Sequence, residues 1–216
     1  MKLLAGLLAA AALVSPLQAQ SQSPEELAAR ASRAYRNFGA IRANFHQVIE
    51  DRMIGTQESS GELVQSGNAH LTMRFSDPKG DLILLDGTWL WLYTPSTTPG
   101  QVIRMPIPSD PVYGPNVLAR ILDKPAERYQ IEWMGIDSVE HRAVDVLEFV
   151  PTSADPLFSR AVISVDRRTM VPRRLALDER SGVRRTLTLS RVRTNVAVNK
   201  SEFTFQVPEG VRVIDR

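Results

Sequence analysis

The chain has 216 residues, of which 43% are hydrophobic and 23% are charged, and 26 basic against 24 acidic side chains leave a net charge of +2. This composition excludes a disordered chain, and the near-neutral charge argues against nucleic-acid binding, which needs a dense basic face. Cysteine is absent, which excludes disulfides, cysteine-based metal sites, thiol catalysis and lipid attachment through a cysteine.

The N-terminus has the pattern of a secretory signal peptide. Lys2 precedes an apolar run over residues 3–14, which is too short to cross a ~30 Å hydrocarbon core as a helix. A small residue, Ala19, follows the break at Ser15-Pro16, although Leu17 does not match the small residue that is usual three positions before the cleavage site. We therefore expect that residues 1–19 are removed and that residues 20–216 form a single domain in the periplasm.

A helix is predicted directly after the signal peptide. Ser23 suits the N-cap, Pro24 suits the first helical position, and Glu26 completes a capping box. One apolar face then recurs at three- and four-residue spacing, through Leu27, Ala31, Ala34, Tyr35 and Phe38. The helix is expected to end at residues 37–39.

From residue 41 onward the apolar period changes from that of a helix to two. The predicted strands cover residues 41–46, 69–76, 81–85, 88–93, 101–107, 128–134, 143–150, 159–165, 173–177, 184–192 and 202–207. Turn signals such as Asp86-Gly87 and Ser181-Gly182 separate them. The pattern predicts a mainly β fold of the α+β class, an antiparallel meander that curls into a sheet or an incomplete barrel.

One segment interrupts the strands. Residues 105–111 are rich in proline and lead into a short apolar helical pattern over residues 112–122, closed by Asp123-Lys124-Pro125. Such a helix could be a lid that moves over the sheet or a helix that packs there permanently. The sequence supports both interpretations equally.

No motif for catalysis or metal binding is present in the sequence. The chain has no nucleophile elbow, phosphate-binding loop or zinc-protease motif, and His46, His70 and His141 lie on separate predicted elements. We therefore expect no enzyme activity, no metal and no cofactor. An unrecognised hydrolase that uses one of these histidines or an aspartate is the weakest alternative.

Two of the predicted strands are apolar on both faces. Residues 82–85 and 89–93 lack the alternation of a strand that faces water on one side. We expect the helix to cover them from outside. Inside the curved sheet, the cover is either packed side chains or an apolar ligand.

Several motifs in a fixed order carry a resemblance to a known family. Phe45-His46-Gln47 follows the first helix, residues 86–95 read DG-x-x-LW-x-Y-x-P, and residues 203–211 read FTF-x-x-P-x-G-V. With these motifs, the chain resembles the LolA family of periplasmic outer-membrane lipoprotein carriers. The resemblance implies an incomplete antiparallel β-barrel with a short helical lid over an apolar cavity for acyl chains.

The resemblance also implies partners. The cargo would be acylated outer-membrane lipoproteins, received from an inner-membrane ABC transporter and passed to an outer-membrane receptor where one exists. Because that receptor is anchored through a cysteine, the absence of cysteine favours the soluble carrier, which we expect to be a monomer. The alternative is a periplasmic lipid- or lipoprotein-sensing module of the same fold.

The candidate site follows from the same comparison. The residues expected to line the cavity and the lid are Phe45, Leu71, Met73, Trp91, Val117, Leu118 and Ile121. Which face of residues 89–93 points inward is left open. The family arginine that is thought to tether the lid is missing, since Gly67-Asn68 stands at its Arg-Pro motif, so Arg74 and Arg104 are the candidates for lid control.

Overall fold

The computed structural model describes residues 22–107, 117–155 and 157–216. The predicted signal peptide, residues 1–19, and the start of the predicted lid, residues 112–116, lie outside these ranges. In the described part of the chain, no helix has the length and apolar character that crossing a membrane requires.

The predicted N-terminal helix is confirmed as α1, Pro24–Asn37. Ser23 Oγ accepts a hydrogen bond from the backbone N–H of Glu26 at 3.2 Å, and Glu26 Oε2 accepts one from the backbone N–H of Ser23 at 3.3 Å. Both halves of the capping box are therefore formed. Of the predicted apolar face, three residues are buried and two are partly buried: Leu27, Ala31 and Tyr35, and Ala34 and Phe38.

Twelve strands in the described part of the chain form one open, curved sheet, with the order β12-β6-β5-β4-β3-β2-β1-β11-β10-β9-β8-β7. Neighbours are antiparallel, except that β12 runs parallel to β6. The strands are β1 Ala40–Asp51, β2 Gly55–Ser66, β3 His70–Asp77, β4 Leu82–Asp86, β5 Trp89–Tyr93, β6 Gln101–Pro106, β7 Tyr129–Val139, β8 Arg142–Pro151, β9 Phe158–Asp166, β10 Pro172–Glu179, β11 Arg184–Thr194 and β12 Arg212–Asp215. This confirms the mainly β class and the incomplete antiparallel barrel.

Short helices complete the fold. They are α2, Val117–Ile121, and α3, Pro125–Arg128, between β6 and β7, and a 3₁₀ helix, Lys200–Phe203, after β11. The 3₁₀ helix shows that the strand predicted over residues 202–207 is wrong. Asn199 caps this turn by accepting the backbone N–H of Ser201 at 3.0 Å, and such local capping competes with strand formation.

The concave side of the sheet carries two apolar clusters. The first fills the half formed by β7–β10 and is covered by α1 and α2, with Leu147, Phe149, Ile163, Leu175 and Leu177 among its members. The second lies against β1–β5 and β11 and contains Ala43, Phe45, Leu63, Leu71, Met73, Leu85, Leu90 and Leu189. Both helices therefore lie inside the curve of the sheet.

A third cluster lies on the convex side and explains the doubly apolar strands. It joins Leu82, Leu84, Trp91 and Val102 to Phe205 from the segment after the 3₁₀ helix. Thr72 Oγ1 donates a hydrogen bond to the backbone carbonyl of Glu202 at 2.7 Å, which ties this segment to β3. The outer cover is thus the C-terminal segment, and the expectation that the helix covers these strands from outside is wrong.

Candidate functional site

A mostly apolar cavity of about 340 Å³ lies between the two concave clusters. Its size falls within the range of about 300–1,000 Å³ that is typical of small-ligand sites. The described residues that line it are Gln47, Met73, Ile83, Leu90, Leu92, Val117, Leu157, Phe158, Leu175, Leu177, Glu179, Arg185 and Leu187.

One wall of the cavity is built by β3, β4 and β5. Met73 pairs with Ile83, and Ile83 pairs with Leu92, so one apolar row crosses the three strands. Because side chains alternate between the two faces of a strand, Leu90 joins this wall two residues before Leu92.

The opposite wall comes from β9, β10 and β11, with one contribution from α2. Leu187 pairs with Leu175, and Leu177 lies on the same face of β10. Phe158 lines the cavity from the start of β9, and Val117 lines it from α2. The two walls enclose a slot that is lined mainly by aliphatic side chains.

Four of the predicted site residues lie in or directly behind this slot. Met73 and Val117 line the cavity itself. Phe45 and Leu71 are each only 2% exposed and belong to the same buried cluster as Met73. Phe45 also packs edge-on against Phe75, with ring centroids 5.0 Å apart, so it supports the wall from behind.

Leu118 and Ile121 have a different place from Val117. Both belong to the cluster that α1 forms with β7–β10, and Ile121 has no exposed surface. At the end of this segment, Ser32 Oγ of α1 donates a hydrogen bond to the backbone carbonyl of Leu122 at 2.6 Å. These residues hold α2 in position, while Val117 faces the cavity.

Trp91 lies on the other side of the sheet. Its ring is 5.3 Å from that of Phe205, and its indole N–H donates to Asp86 Oδ2 at 2.8 Å. The expectation that Trp91 lines the cavity is therefore not met. Leu90 and Leu92, its neighbours in β5, face inward instead.

The two candidates for lid control also lie on the convex side. Arg104 donates from Nε and Nη2 to the carboxylate of Asp215, at 2.7 and 3.0 Å, and its guanidinium lies 4.6 Å from the ring centroid of Trp89. Arg74 is exposed, and it alternates with Met73, which faces inward. Neither arginine is placed to hold α2.

A buried ion pair that the sequence analysis missed does hold α2. Arg120 Nη2 donates to Asp155 Oδ2 at 2.6 Å, and the side chains are 6% and 7% exposed. Asp155 Oδ1 also accepts the backbone N–H of Leu157 at 2.8 Å. The pair joins α2 to the β8–β9 connection, and its one signal in the sequence is an arginine within the apolar run of residues 117–122.

A polar group in the cavity wall was missed as well. Arg185 Nε donates to Glu179 Oε1 at 2.9 Å, and Arg185 Nη1 donates to Gln47 Oε1 at 3.3 Å. Alternate residues of a strand face the same side. Each of the three polar residues is separated by an even number of positions from apolar residues that face inward, as Arg185 is from Leu187 and Leu189. That phase was the signal which could have identified them.

The carboxylates whose pKa is shifted lie away from the cavity. Burial opposes ionisation of Asp86, but hydrogen bonds from the Trp91 indole and from the backbone N–H groups of Trp89 and Thr88 lower its pKa overall. These bonds fix a turn on the convex side. Within the described residues, no cluster of histidine and acidic side chains could hold a metal ion. The apolar lining of the cavity suits it to binding an apolar ligand.

Comparison with known proteins agrees with this geometry. Residues 36–206 match the family model described as outer membrane lipoprotein carrier protein LolA. The chain belongs to the LolA family.

Two proteins named outer-membrane lipoprotein carrier protein are related to it over nearly their whole length. The one from Chromohalobacter salexigens is 26% identical over 208 residues, which cover 94% of this chain and 93% of the relative. The one from Azotobacter vinelandii is 29% identical over 211 residues, which cover 95% and 94%.

Solved structures share the LolA-like fold at low identity. An uncharacterized conserved protein from Thermus thermophilus matches with a TM-score of 0.58 and 12% identity, over 90% of this chain and 100% of that one. A chain of the Pseudomonas aeruginosa MucA/MucB complex matches with a TM-score of 0.50 and 16% identity, over 88% of this chain and 63% of that one. At these identities the likeness concerns the fold alone.

Proposed function

We propose that this protein is a periplasmic carrier that binds the acyl chains of lipoproteins in the cavity between β3–β5 and β9–β11. It receives them from an inner-membrane ABC transporter and delivers them to the outer membrane, to a receptor where one exists. The observation that carries the proposal is the cavity itself, whose described lining is apolar apart from three residues. Membership in the LolA family and the names of the two relatives support it.

Release of the cargo requires that part of the favourable free energy of binding is offset by an opposing cost. Burial of each methylene is worth about 0.8 kcal/mol, so a long acyl chain held without compensation would not leave. In our proposal α2 supplies that compensation, because Val117 lies in the cavity wall and its helix is tied down at Arg120 and Leu122. Loading displaces α2 at a cost, and α2 returns when the cargo leaves.

The test is release of lipoprotein from spheroplasts by the purified protein. Leu187→Glu places a carboxylate in the cavity wall, and we expect it to abolish release because a bound acyl chain would strip water from that carboxylate at a high free-energy cost. The matched control is Thr186→Glu, one residue earlier on β11 and on the opposite face. We expect both the control and the unmodified protein to release an acylated outer-membrane lipoprotein at one-to-one stoichiometry.

Two results would overturn the proposal. Full release by a folded Leu187→Glu variant would show that the cavity does not hold the acyl chains. Absence of release by the unmodified protein, with the transporter active, would favour a lipid- or lipoprotein-sensing module of the same fold.

A further inference from the structure

The polar residues in the cavity wall form one connected group. Gln47 on β1, Arg185 on β11 and Glu179 on β10 lie on three adjacent strands. The Arg185 guanidinium bridges its neighbours, with 2.9 Å from Nε to Glu179 Oε1 and 3.3 Å from Nη1 to Gln47 Oε1. The other described residues that line the cavity are apolar, so polar contacts with a ligand are concentrated here.

This group lies where the cavity meets water. The side chains of Arg185 and Glu179 are 37% and 24% exposed. Glu179 also lines a neighbouring surface cleft, between the β1–β2 turn near Arg52 and the β10–β11 turn at Gly182. A chain that fills the apolar slot would therefore have its polar end at this group.

The group has unused hydrogen-bond donors. A guanidinium carries five N–H groups, and the bonds of Arg185 to described residues engage Nε and Nη1, which leaves Nη2 without a partner among those residues. The amide nitrogen of Gln47 donates to Ser59 Oγ at 3.3 Å, which holds the side chain in place. The ligand atom that fits Nη2 is an oxygen acceptor.

The negative charge of Glu179 determines which oxygen acceptors of a ligand can bind Arg185. Glu179 already neutralises Arg185 at hydrogen-bond distance, and its carboxylate would repel a second carboxylate bound to the same guanidinium. A neutral carbonyl oxygen accepts from Nη2 without that repulsion. Ester and amide carbonyls have this character, whereas a free fatty acid ends in an anion.

We propose that Gln47, Glu179 and Arg185 form the head-group site of the cavity and select acyl chains held in ester or amide linkage over free fatty acids. The inference rests on the proposed function, because it assigns the polar end of the same ligand. Arg185 donates to the carbonyl, Glu179 orients Arg185 and excludes carboxylates, and Gln47 fixes the guanidinium from the other side.

The test compares three probes on the purified protein. Diphenylhexatriene is a hydrocarbon without oxygen, palmitate ends in a carboxylate, and a synthetic tripalmitoyl lipopeptide carries ester and amide carbonyls. Arg185→Met keeps an apolar stem but removes the donors, and we expect it to weaken lipopeptide binding about tenfold relative to diphenylhexatriene binding. The matched control is Arg184→Met, since Arg184 pairs with Asp178 and does not line the cavity.

A second variant tests the selection against anions. Glu179→Gln removes the repelling carboxylate with little change in shape, so palmitate binding should tighten severalfold relative to diphenylhexatriene. Equal loss of all three probes in Arg185→Met, together with unchanged palmitate binding in Glu179→Gln, would show a structural role and overturn the inference. Unchanged lipopeptide binding in Arg185→Met would also overturn it.

These outcomes separate the inference from the proposed function. If the unmodified protein binds diphenylhexatriene and the lipopeptide but Arg185→Met has no selective effect, the head-group site fails and the carrier proposal stands. If the unmodified protein binds none of the three probes, both fail.

Discussion

At the scale of single residues, Gly61 shows how closely the cavity wall is packed. Gly61 on β2 lies opposite Phe45 on β1. A Cβ added at Gly61 would lie 2.0 Å from the backbone carbonyl oxygen of Arg74 and 2.9 Å from Phe45 Cε1. Real side chains do not approach backbone this closely, so only glycine lets β2 approach β3 while the Phe45 ring lies across it.

Replacement of Gly61 should therefore disturb the fold. We expect Gly61→Ala to lower the free energy of unfolding by about 2 kcal/mol, because the backbone or the Phe45 ring must move. Urea unfolding measures the change. The control is Gly39→Ala, whose added Cβ would be in ordinary contact at 3.6 Å with Asn195. Equal stability of the two variants would show that the sheet adapts at Gly61 without cost.

At the scale of elements, α2 depends on its tertiary contacts. It spans five residues, and a helix this short is not stable by itself. The Arg120–Asp155 ion pair and the Ser32–Leu122 hydrogen bond hold it over the cavity. Nε and Nη1 of Arg120 are buried without a hydrogen-bond partner in the described residues. The pair therefore holds α2 at a desolvation cost, which is consistent with the opening that we propose for this helix.

Removal of this ion pair should loosen α2. The double variant Arg120→Met with Asp155→Asn avoids an uncompensated buried charge. We expect amide hydrogen exchange in residues 118–122 to accelerate at least tenfold, and diphenylhexatriene to bind severalfold more tightly because opening costs less. Lys124→Met is the control, since its pair with Glu127 is exposed. Unchanged exchange in α2 would show that apolar packing and the Ser32–Leu122 hydrogen bond hold the helix without the ion pair.

At the scale of the whole molecule, the sheet stays open, and its cover comes from different parts of the chain on its two sides. Helices α1 and α2 fill the concave side, and the C-terminal segment with Phe205 covers the convex side. Without cysteine, ion pairs around a buried carboxylate add links between strands. Asp166 at the end of β9 binds Arg142 on β8 at 2.8 Å and Arg173 on β10 at 3.4 Å.

The acid stability of the molecule should depend on Asp166. Burial opposes its ionisation, but hydrogen bonds from Arg142 and from the backbone N–H groups of Thr169 and Arg168 hold its pKa far below the ordinary value. A carboxyl with a lowered folded pKa stabilises the fold at pH above the unfolded value of about 3.9. That contribution is lost as the pH falls towards the folded pKa.

Asp166→Asn should lower the free energy of unfolding at pH 7 by about 3 kcal/mol, because it leaves two arginines without their charge partner. The difference from the unmodified protein should shrink as the pH falls below about 4. Urea unfolding between pH 7 and pH 2.5 measures both effects. Asp137→Asn, at an exposed pair with Arg174, should show neither. A difference that stays constant with pH would assign the loss to packing.

The sequence by itself determined the features that depend on neighbouring residues. The capping box at Ser23 and Glu26 predicted the start of α1, and period-two alternation predicted most of the strands, because both signals lie within a few residues of chain. The family motifs predicted the open sheet and the cavity. The resemblance to the family also led to the expectation that Met73 and Val117 line the cavity, and both residues lie in its wall.

Only the tertiary structure decided the features that depend on distant residues. Residues 89–93 are apolar at every position, so alternation cannot show which phase faces inward, and the C-terminal segment places Trp91 outside. The Arg120–Asp155 pair spans 35 positions, and the Arg185–Gln47 contact spans 138. Strand pairing brings Arg185 to Gln47, and the packing of α2 against the sheet brings Arg120 to Asp155; no local pattern encodes either. The strand phase marks Gln47, Glu179 and Arg185 as inward residues, but their contacts with one another, like that of Arg120 with Asp155, are decided only by the fold.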